Sequence, residues 1–152
     1  MKALYAGSFD PFTIGHLDIA KRCLSLFDSL HIGVGDNISK NCLYTVSERV
    51  EAIKKTFEGN SKVEVGSYSG LTVEYAKKIG ANILIRGLRG YDDFDKEKNL
   101  ADINKEISGI ETCFLISNPS LSFISSSMIK ELLIHGKDVS KYLGGVYLKL
   151  PK

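Results

Sequence analysis

The feature that most constrains the fold is an alternation of short apolar runs with helical patterns, repeated about five times along the chain. The runs are rich in Val, Ile and Leu and mostly continuous, as expected for strands buried on both faces of a parallel sheet. This alternation predicts an α/β fold, a single doubly wound, Rossmann-like domain over residues 1–152 with a five-stranded parallel sheet flanked by helices. The predicted strands are Ala3–Ala6, Leu30–Val34, Lys62–Gly66, Asn82–Ile85 and Thr112–Ser117.

Five helices are predicted to follow these strands. The second begins after Thr45, which forms a capping-box pattern with Glu48, and the third ends at Gly80, a typical C′ glycine. One more short helix is expected in the tail, between residues 138 and 150. The other predicted spans are 14–27, 73–79, 92–107 and the segment from about Ser126 to before Gly136.

Composition excludes several classes of protein. The net charge of +2 is too small to indicate a surface for nucleic acid or membranes, and neither a signal peptide nor a membrane-spanning run is visible. The cysteines Cys23, Cys42 and Cys113 lack metal-binding or redox spacing, which indicates free thiols in a reducing compartment. We therefore expect a cytoplasmic protein without nucleic-acid or membrane partners and without a protein-bound metal cluster.

The run Gly7-Ser8-Phe9-Asp10-Pro11-Phe12-Thr13-Ile14-Gly15-His16 links the first strand to the first helix. A helix N-terminus after a glycine-bearing turn binds anions, because the first N–H groups have no partner within the helix. Thr13 is a plausible N-cap, and Gly15 allows a phosphate to approach the backbone closely. His16 would then be a cation or strong donor facing the sheet edge, although a lone histidine in a first turn is more often only a polar surface residue.

Polar groups also follow each of the other four predicted strands. Arg86-Gly87-Leu88-Arg89 comes directly after the fourth strand, and guanidinium groups suit bidentate phosphate binding. Ser125, Ser126 and Ser127 open the last helix, where one serine would suffice as an N-cap. Ligands bind beyond the carboxyl ends of the strands in such sheets. These motifs therefore predict a phosphate-rich ligand at that edge, whereas Lys40, Thr72 and Glu97 alone would be ordinary surface residues.

The run from Gly7 to His16 resembles the signature of the nucleotidyltransferase superfamily that contains Thr/His-x-Gly-His. With Ile85-Arg86-Gly87-Leu88-Arg89 and Phe123-Ile124-Ser125-Ser126-Ser127, the chain resembles the bacterial phosphopantetheine adenylyltransferases over essentially its whole length. The resemblance implies transfer of the adenylyl group of ATP to 4′-phosphopantetheine, giving dephospho-CoA and pyrophosphate in coenzyme A biosynthesis. It also implies a requirement for Mg²⁺ and a cytoplasmic homohexamer.

The resemblance also implies roles for individual residues, and His16 matches the transition-state stabiliser. Positions that match phosphopantetheine-binding residues are Ser8, Lys40, Thr72 and Arg86. Positions that match ATP-contacting residues are Ser8, Phe9, His16, Gly87, Leu88, Arg89, Glu97, Leu121, Ser122, Phe123, Ile124, Ser125, Ser126 and Ser127.

The acceptor phosphate is already anionic, which agrees with the lack of an evident catalytic base or nucleophile in the sequence. Three alternatives remain open at this stage. The chain could be another adenylyl- or cytidylyltransferase of the superfamily, a catalytically silent ATP-binding module, or a flavodoxin-like redox carrier. The absence of a Walker A motif and of a Gly-x-Ser-x-Gly motif argues against P-loop enzymes and α/β-hydrolases.

Overall fold

A computed structural model of the chain describes residues 1–36 and 41–147. The strands are β1 (Lys2–Gly7), β2 (Ser29–Gly35), β3 (Val63–Tyr68), β4 (Ile83–Leu88) and β5 (Glu111–Ile116). They form one parallel sheet in the order β3-β2-β1-β4-β5. The predicted five-stranded parallel α/β architecture is thus confirmed. The order reverses between β1 and β4, and such a switch point is where open α/β sheets bind their ligands.

The helices agree with the sequence pattern to within about two residues at each end. They are α1 (Ile14–Leu26), α2 (Val46–Thr56), α3 (Thr72–Ile79), α4 (Tyr91–Ser108) and α5 (Ser126–Ile134). The capping box of Thr45 with Glu48 is present, and Gly80 ends α3 in the left-handed conformation with φ of 68°. The tail forms a 3₁₀ turn at Ser140–Tyr142. None of the helices in the two described ranges is long and apolar enough to cross a membrane.

The end of β4 differs from the prediction. Arg86, Gly87 and Leu88 belong to the strand rather than to the loop after it, because each pairs with a residue of β5 up to Leu88 opposite Ile116. The charge of Arg86 ended the predicted strand too early, since continuous hydrophobicity was the signal used. Arg86 is therefore held by sheet hydrogen bonding and not by a loop.

The central strand β1 is buried on both faces, which explains its continuous apolar sequence. Tyr5 packs in one cluster with Ile19 and Cys23 of α1, while Leu4 packs in another with Val73 and Ala76 of α3. Tyr5 is 4% exposed and Leu4 is fully buried. This packing on both faces fixes the position of the carboxyl end of β1. The Gly7–His16 segment begins there.

A buried arginine fastens this segment to the neighbouring strand. Arg49 of α2 is 1% exposed. Its Nη1 donates to the carbonyl oxygens of Ser8 at 2.5 Å and Gly35 at 3.3 Å, and its Nε donates to that of Tyr44 at 3.1 Å. No carboxylate among the described residues forms an ion pair with it. Arg49 therefore satisfies backbone carbonyls that would otherwise be buried without a donor.

We expect Arg49→Met to lower the free energy of unfolding by about 3 kcal/mol, because it leaves these carbonyls without a donor. The matched control is Lys54→Met on the same helix, where the side chain is half exposed and forms an ion pair with Glu51. The control should change the free energy by less than about 0.5 kcal/mol. Urea unfolding followed by circular dichroism measures both, and equal stability of the two variants would contradict this role.

Candidate active site

A cavity of about 740 Å³ opens at the carboxyl ends of the strands. Its volume is in the range of pockets that bind nucleotide-sized ligands. Every strand contributes to its wall through its carboxyl end or the residues just after it, as expected at a switch point. Examples are Ser8 after β1, Asp36 after β2, Tyr68 of β3, Arg86 of β4 and Ser117 after β5.

The structure brings most of the predicted site residues to this cavity. Those that line it are Ser8, Phe9, His16, Thr72, Arg86, Gly87, Arg89, Glu97, Leu121, Ile124, Ser125, Ser126 and Ser127. Leu88 is 8% exposed and, like Ser122 and the 62%-exposed Phe123, does not line the cavity. Lys40 lies outside the described residues. The ligand contacts assigned to all these residues stay predictions.

The segment after β1 has an unusual backbone conformation. Phe9 has φ of 48°, in the left-handed region that a bulky residue rarely adopts. Its ring packs at 5.1 Å from Tyr5, 5.3 Å from Phe12 and 5.1 Å from the imidazole of His16, measured between ring centroids. Packing on three sides holds the strained residue in place, as is common at functional sites.

Residues 144–147 form hydrogen bonds to the backbone of the same segment. The backbone N–H groups of Gly144 and Gly145 donate to the carbonyl oxygen of Phe12, and the N–H of Phe12 donates to the hydroxyl of Tyr147 at 2.6 Å. A Cβ on Gly144 would overlap the carbonyl oxygen of Thr13, so only glycine allows this close approach. The hydrogen bonds of the turn are therefore satisfied from outside it.

His16 is held by the cap of α1. The backbone N–H of Thr13 donates to Nδ1 of His16 at 3.0 Å, and the N–H of His16 donates to Oγ1 of Thr13 at 3.3 Å. This is a capping box in which a histidine occupies the usual Glu or Gln position. Thr13 is thus the N-cap, as predicted. Because Nδ1 accepts a hydrogen bond, the neutral ring has its proton on Nε2 and can donate only from there.

The environment of His16 keeps the ring neutral. Burial among Tyr5, Phe9 and Phe12 lowers its pKa to about 4, with further lowering by the charges of Arg89 and Arg86. The prediction that His16 could act as a cation is therefore wrong at neutral pH. It is a fixed neutral donor, because an imidazolium would be poorly solvated and repelled by two nearby guanidinium groups.

Arg86 is held in a forked ion pair. Its Nε and Nη2 donate to the two carboxylate oxygens of Glu97 at 2.5 and 2.6 Å, and its Nη1 donates to the carbonyl oxygen of Ala6 at 2.9 Å. Burial alone would lower the pKa of Arg86, but the bonds and charge of Glu97 raise it above its usual value. The guanidinium is therefore a permanent cation at the cavity wall with fixed orientation.

Arg89, in the loop between β4 and α4, has a similar partner in the first turn of α4. Its Nε donates to Asp93 at 3.0 Å and its Nη2 to the other oxygen of that carboxylate at 3.2 Å. Asp93 also lines the cavity, and sequence reasoning missed it. The i, i+4 spacing of Arg89 and Asp93 at the start of a predicted helix is the signal that could have found it.

The three serines at the start of α5 have different environments. Ser125 is the N-cap, because its Oγ accepts from the N–H of Met128 at 3.1 Å. Ser126 donates to the carbonyl oxygen of Pro11 at 2.9 Å and so ties α5 to the turn after β1. Ser127 is exposed and lines the cavity. A capping role alone therefore explains one of the three serines.

Cofactor chemistry is limited by the residues available. In the described ranges, no three His, Cys, Asp or Glu side chains group as a metal site. Three carboxylates line the cavity, namely Asp36, Asp93 and Glu97, and the last two are paired with arginines. This set does not form a protein cage for a divalent cation. It fits Mg²⁺ that is bound mainly by water and by substrate phosphates, with at most one protein carboxylate.

Comparison with known proteins gives consistent matches. Residues 4–132 match the cytidylyltransferase-like family model. A phosphopantetheine adenylyltransferase from Flavobacterium johnsoniae is 47% identical over 135 residues, covering 89% of this chain and 89% of that protein. Another, from Porphyromonas gingivalis, is 45% identical over 141 residues, covering 93% of this chain and 92% of that protein.

A solved structure confirms the fold at much lower identity. The bifunctional NMN adenylyltransferase/ADP ribose pyrophosphatase from Francisella tularensis superposes with a TM-score of 0.72 at 11% identity. The match covers 94% of this chain and 44% of that chain. At this identity, the likeness concerns the fold alone.

We expect the imidazole of His16 to titrate with a pKa near 4 instead of near 6.5. Because the folded-state pKa lies below the unfolded-state value, the contribution of His16 to stability is complete above about pH 6.5 and is lost as the pH falls toward 4. NMR titration of the ring protons measures the pKa of His16 directly. An ordinary pKa for His16 would contradict the neutral-donor assignment.

Proposed function

The chain belongs to the cytidylyltransferase-like family and, within it, to the phosphopantetheine adenylyltransferases, and from this we propose the reaction and the roles of its residues. The reaction is transfer of the adenylyl group of ATP to 4′-phosphopantetheine, giving dephospho-CoA and pyrophosphate. The supporting observation is the convergence of Arg86, Arg89, a neutral His16 and the N-terminus of α5 on one cavity. Such a cavity suits two phosphate-bearing reactants.

The chemistry needs positioning more than proton transfer. The acceptor is a phosphate monoester, and its anionic oxygen can attack the α-phosphorus of ATP without a general base. The reactants are both anions, so cations must offset their repulsion, and the attacking oxygen must lie in line with the leaving pyrophosphate. The chain therefore contributes fixed charges and donors.

The acceptor phosphate is proposed to bind Arg86, Ser8 and Thr72, with Lys40 as a second cation. The hydroxyl of Thr72 lies 2.8 Å from that of Tyr68, which also lines the cavity. Glu97 binds the Nε and Nη2 edge of Arg86, so a phosphate reaches the arginine from Nη1 or replaces the carboxylate. Glu97 then acts through Arg86, in addition to the ATP contact that the family resemblance implies.

The triphosphate is proposed to bind Arg89 and the N-terminus of α5. Ser127 offers a hydroxyl to the cavity, and the first N–H groups of α5 are suited to the leaving pyrophosphate. The nucleoside would be contacted by the other predicted ATP-site residues. These are Phe9, Gly87, Leu88, Leu121, Ser122, Phe123 and Ile124.

His16 is proposed to donate from Nε2 to an oxygen of the α-phosphate. Charge builds on that oxygen as the acceptor attacks. A donor already fixed by the capping box needs no reorganisation during the reaction, which is the basis of electrostatic transition-state stabilisation. A neutral ring also stays a donor over the whole physiological pH range.

Mg²⁺ is proposed to enter the site on the phosphates of ATP. Asp36 would hold it, because this lining carboxylate has no ion pair among the described residues. When bound, the metal neutralises charge on the departing pyrophosphate. Arg86 and Arg89 then need to balance only the remaining negative charge of the substrate phosphates.

A cytoplasmic homohexamer is proposed from the family membership. Helix α4 supports association with further copies, because none of its 18 residues is buried. Several large apolar side chains are exposed on it, and contiguous exposed apolar surface is typical of protein interfaces. They are Tyr91, Phe94, Ile103 and Ile107, together with Leu100, which also lines the cavity.

The direct test is incubation of the purified protein with ATP, Mg²⁺ and 4′-phosphopantetheine, followed by mass detection of dephospho-CoA. Parallel reactions contain nicotinamide mononucleotide or choline phosphate as the acceptor. We expect product only with phosphopantetheine. Turnover confined to one of the other acceptors would assign the chain to a different adenylyltransferase reaction.

Substitution of His16 separates its capping role from its donor role. We expect His16→Ala to lower kcat by roughly 10²- to 10³-fold, the usual effect of deleting one preorganised donor. Glu is a normal residue at this position of a capping box, and its carboxylate has no N–H donor, so His16→Glu should keep the wild-type melting temperature while kcat stays low.

The control is His135→Ala, which removes an exposed histidine at the end of α5 and should leave kcat unchanged. A His16→Glu variant with wild-type kcat would disprove the donor role of the imidazole.

A further inference from the structure

Asp10 is a buried carboxylate to which the proposed mechanism gives no role. It is 1% exposed and lies in the turn between β1 and α1. Its Oδ1 accepts from the N–H of Tyr44 at 2.9 Å, and its Oδ2 accepts from the N–H of Leu43 at 2.7 Å. Oδ2 also lies 2.7 Å from Nζ of Lys130. A buried charge is retained only where such partners replace water.

The partners of Asp10 belong to two different parts of the proposed site, one that binds the acceptor and one that binds ATP. Leu43 and Tyr44 lie a few residues after Lys40, in the segment proposed to face the acceptor. Lys130 is on α5, about one turn beyond Ser126 and Ser127, in the helix proposed to bind the pyrophosphate. Asp10 itself lies between Ser8 and His16. One carboxylate therefore connects the segment after Lys40, helix α5 and the turn that leads into α1, the helix that contains His16.

We propose that Asp10, through its ion pair with Lys130, is a positioning residue that sets the distance between the two bound substrates. The inference rests on the proposed function, because it concerns the alignment of the acceptor with ATP. Neither Asp10 nor Lys130 lines the cavity. Both act through the segments they hold and not by contact with a reacting atom.

A second link makes α5 dependent on the same turn. Ser126 donates to the carbonyl oxygen of Pro11, the residue after Asp10. Without the ion pair, α5 keeps this hydrogen bond and the apolar packing of Ile129, but the side of the helix at Lys130 loses its link to the turn. Each substrate would still find its own binding groups, but the in-line arrangement of the attacking oxygen and the leaving group would be lost.

A positioning role for Asp10 predicts a specific kinetic signature. Loss of alignment lowers kcat, because misplacement of reacting groups by about 1 Å can cost on the order of 10²-fold in rate. Loss of a binding contact would instead raise a KM. We therefore expect an effect on kcat with little change in the KM of either substrate.

The experiment compares Lys130→Met with Lys130→Arg. Lys130 is about one-third exposed, so both variants should fold. We expect Lys130→Met to lower kcat about 10- to 100-fold with both KM values changed by less than about twofold, and Lys130→Arg to restore most of the rate. The control is Lys137→Met, an exposed lysine just after α5 that has no ion pair among the described residues.

A double variant keeps the test decisive if Lys130→Met does not fold. Asp10→Asn with Lys130→Met has no unpaired buried charge, and its kcat should equal that of Asp10→Asn alone, because the pair acts as one unit. Rates are measured at a temperature at which circular dichroism shows every variant folded.

The possible outcomes distinguish the positioning role of Asp10 and Lys130 from the proposed function. A wild-type protein that makes dephospho-CoA while Lys130→Met retains full kcat, or while Lys130→Arg is as slow as Lys130→Met, overturns the positioning role alone. A reduced rate that comes entirely from a higher KM also overturns it. A wild-type protein without any product overturns the proposed function, and the inference with it.

Discussion

The site depends on one constraint: the backbone between Ser8 and Thr13 has to be fixed by groups from elsewhere in the chain. Arg49, Ser126 and Tyr147 supply hydrogen bonds to it from three separate parts of the sequence. The turn holds a non-glycine residue at positive φ, so it would not keep this shape alone. Because the turn is held, the α1 cap and its imidazole are oriented before a ligand arrives.

Charge balance is the second determinant of the site. Each cavity arginine is paired with a carboxylate of α4, which keeps the guanidinium groups oriented and the ligand-free cavity from accumulating positive charge. The two arginines still lower the pKa of His16, in addition to the effect of burial. One arrangement therefore provides oriented cations and a neutral donor, two properties that a reaction between anions needs at neutral pH.

The sequence was sufficient to predict the parallel sheet, its five helices and most of the cavity wall, because local signals determine them. Continuous apolar runs indicated the strands, and capping patterns at Thr13 and Thr45 indicated helix starts. The extension of β4 through Arg86 and the neutral state of His16 depend on contacts formed only in the folded chain, whereas the pairing of Arg89 with Asp93 has a sequence signal in its i, i+4 spacing. The carboxylate of Asp10 and the guanidinium of Arg49 were missed because their partners are mostly backbone atoms of other elements, which carry no side-chain signal in the sequence.

The central claim is that the cavity aligns two anions for direct transfer, with no covalent intermediate on the chain. The stereochemical course at the α-phosphorus tests this claim most directly, with one diastereomer of adenosine 5′-O-(1-thiotriphosphate) as donor and phosphopantetheine as acceptor. A single in-line displacement predicts inversion of configuration in the thio-substituted dephospho-CoA. Retention would mean two displacements, and a side chain such as Ser8 or Ser127 would then have to act as a nucleophile.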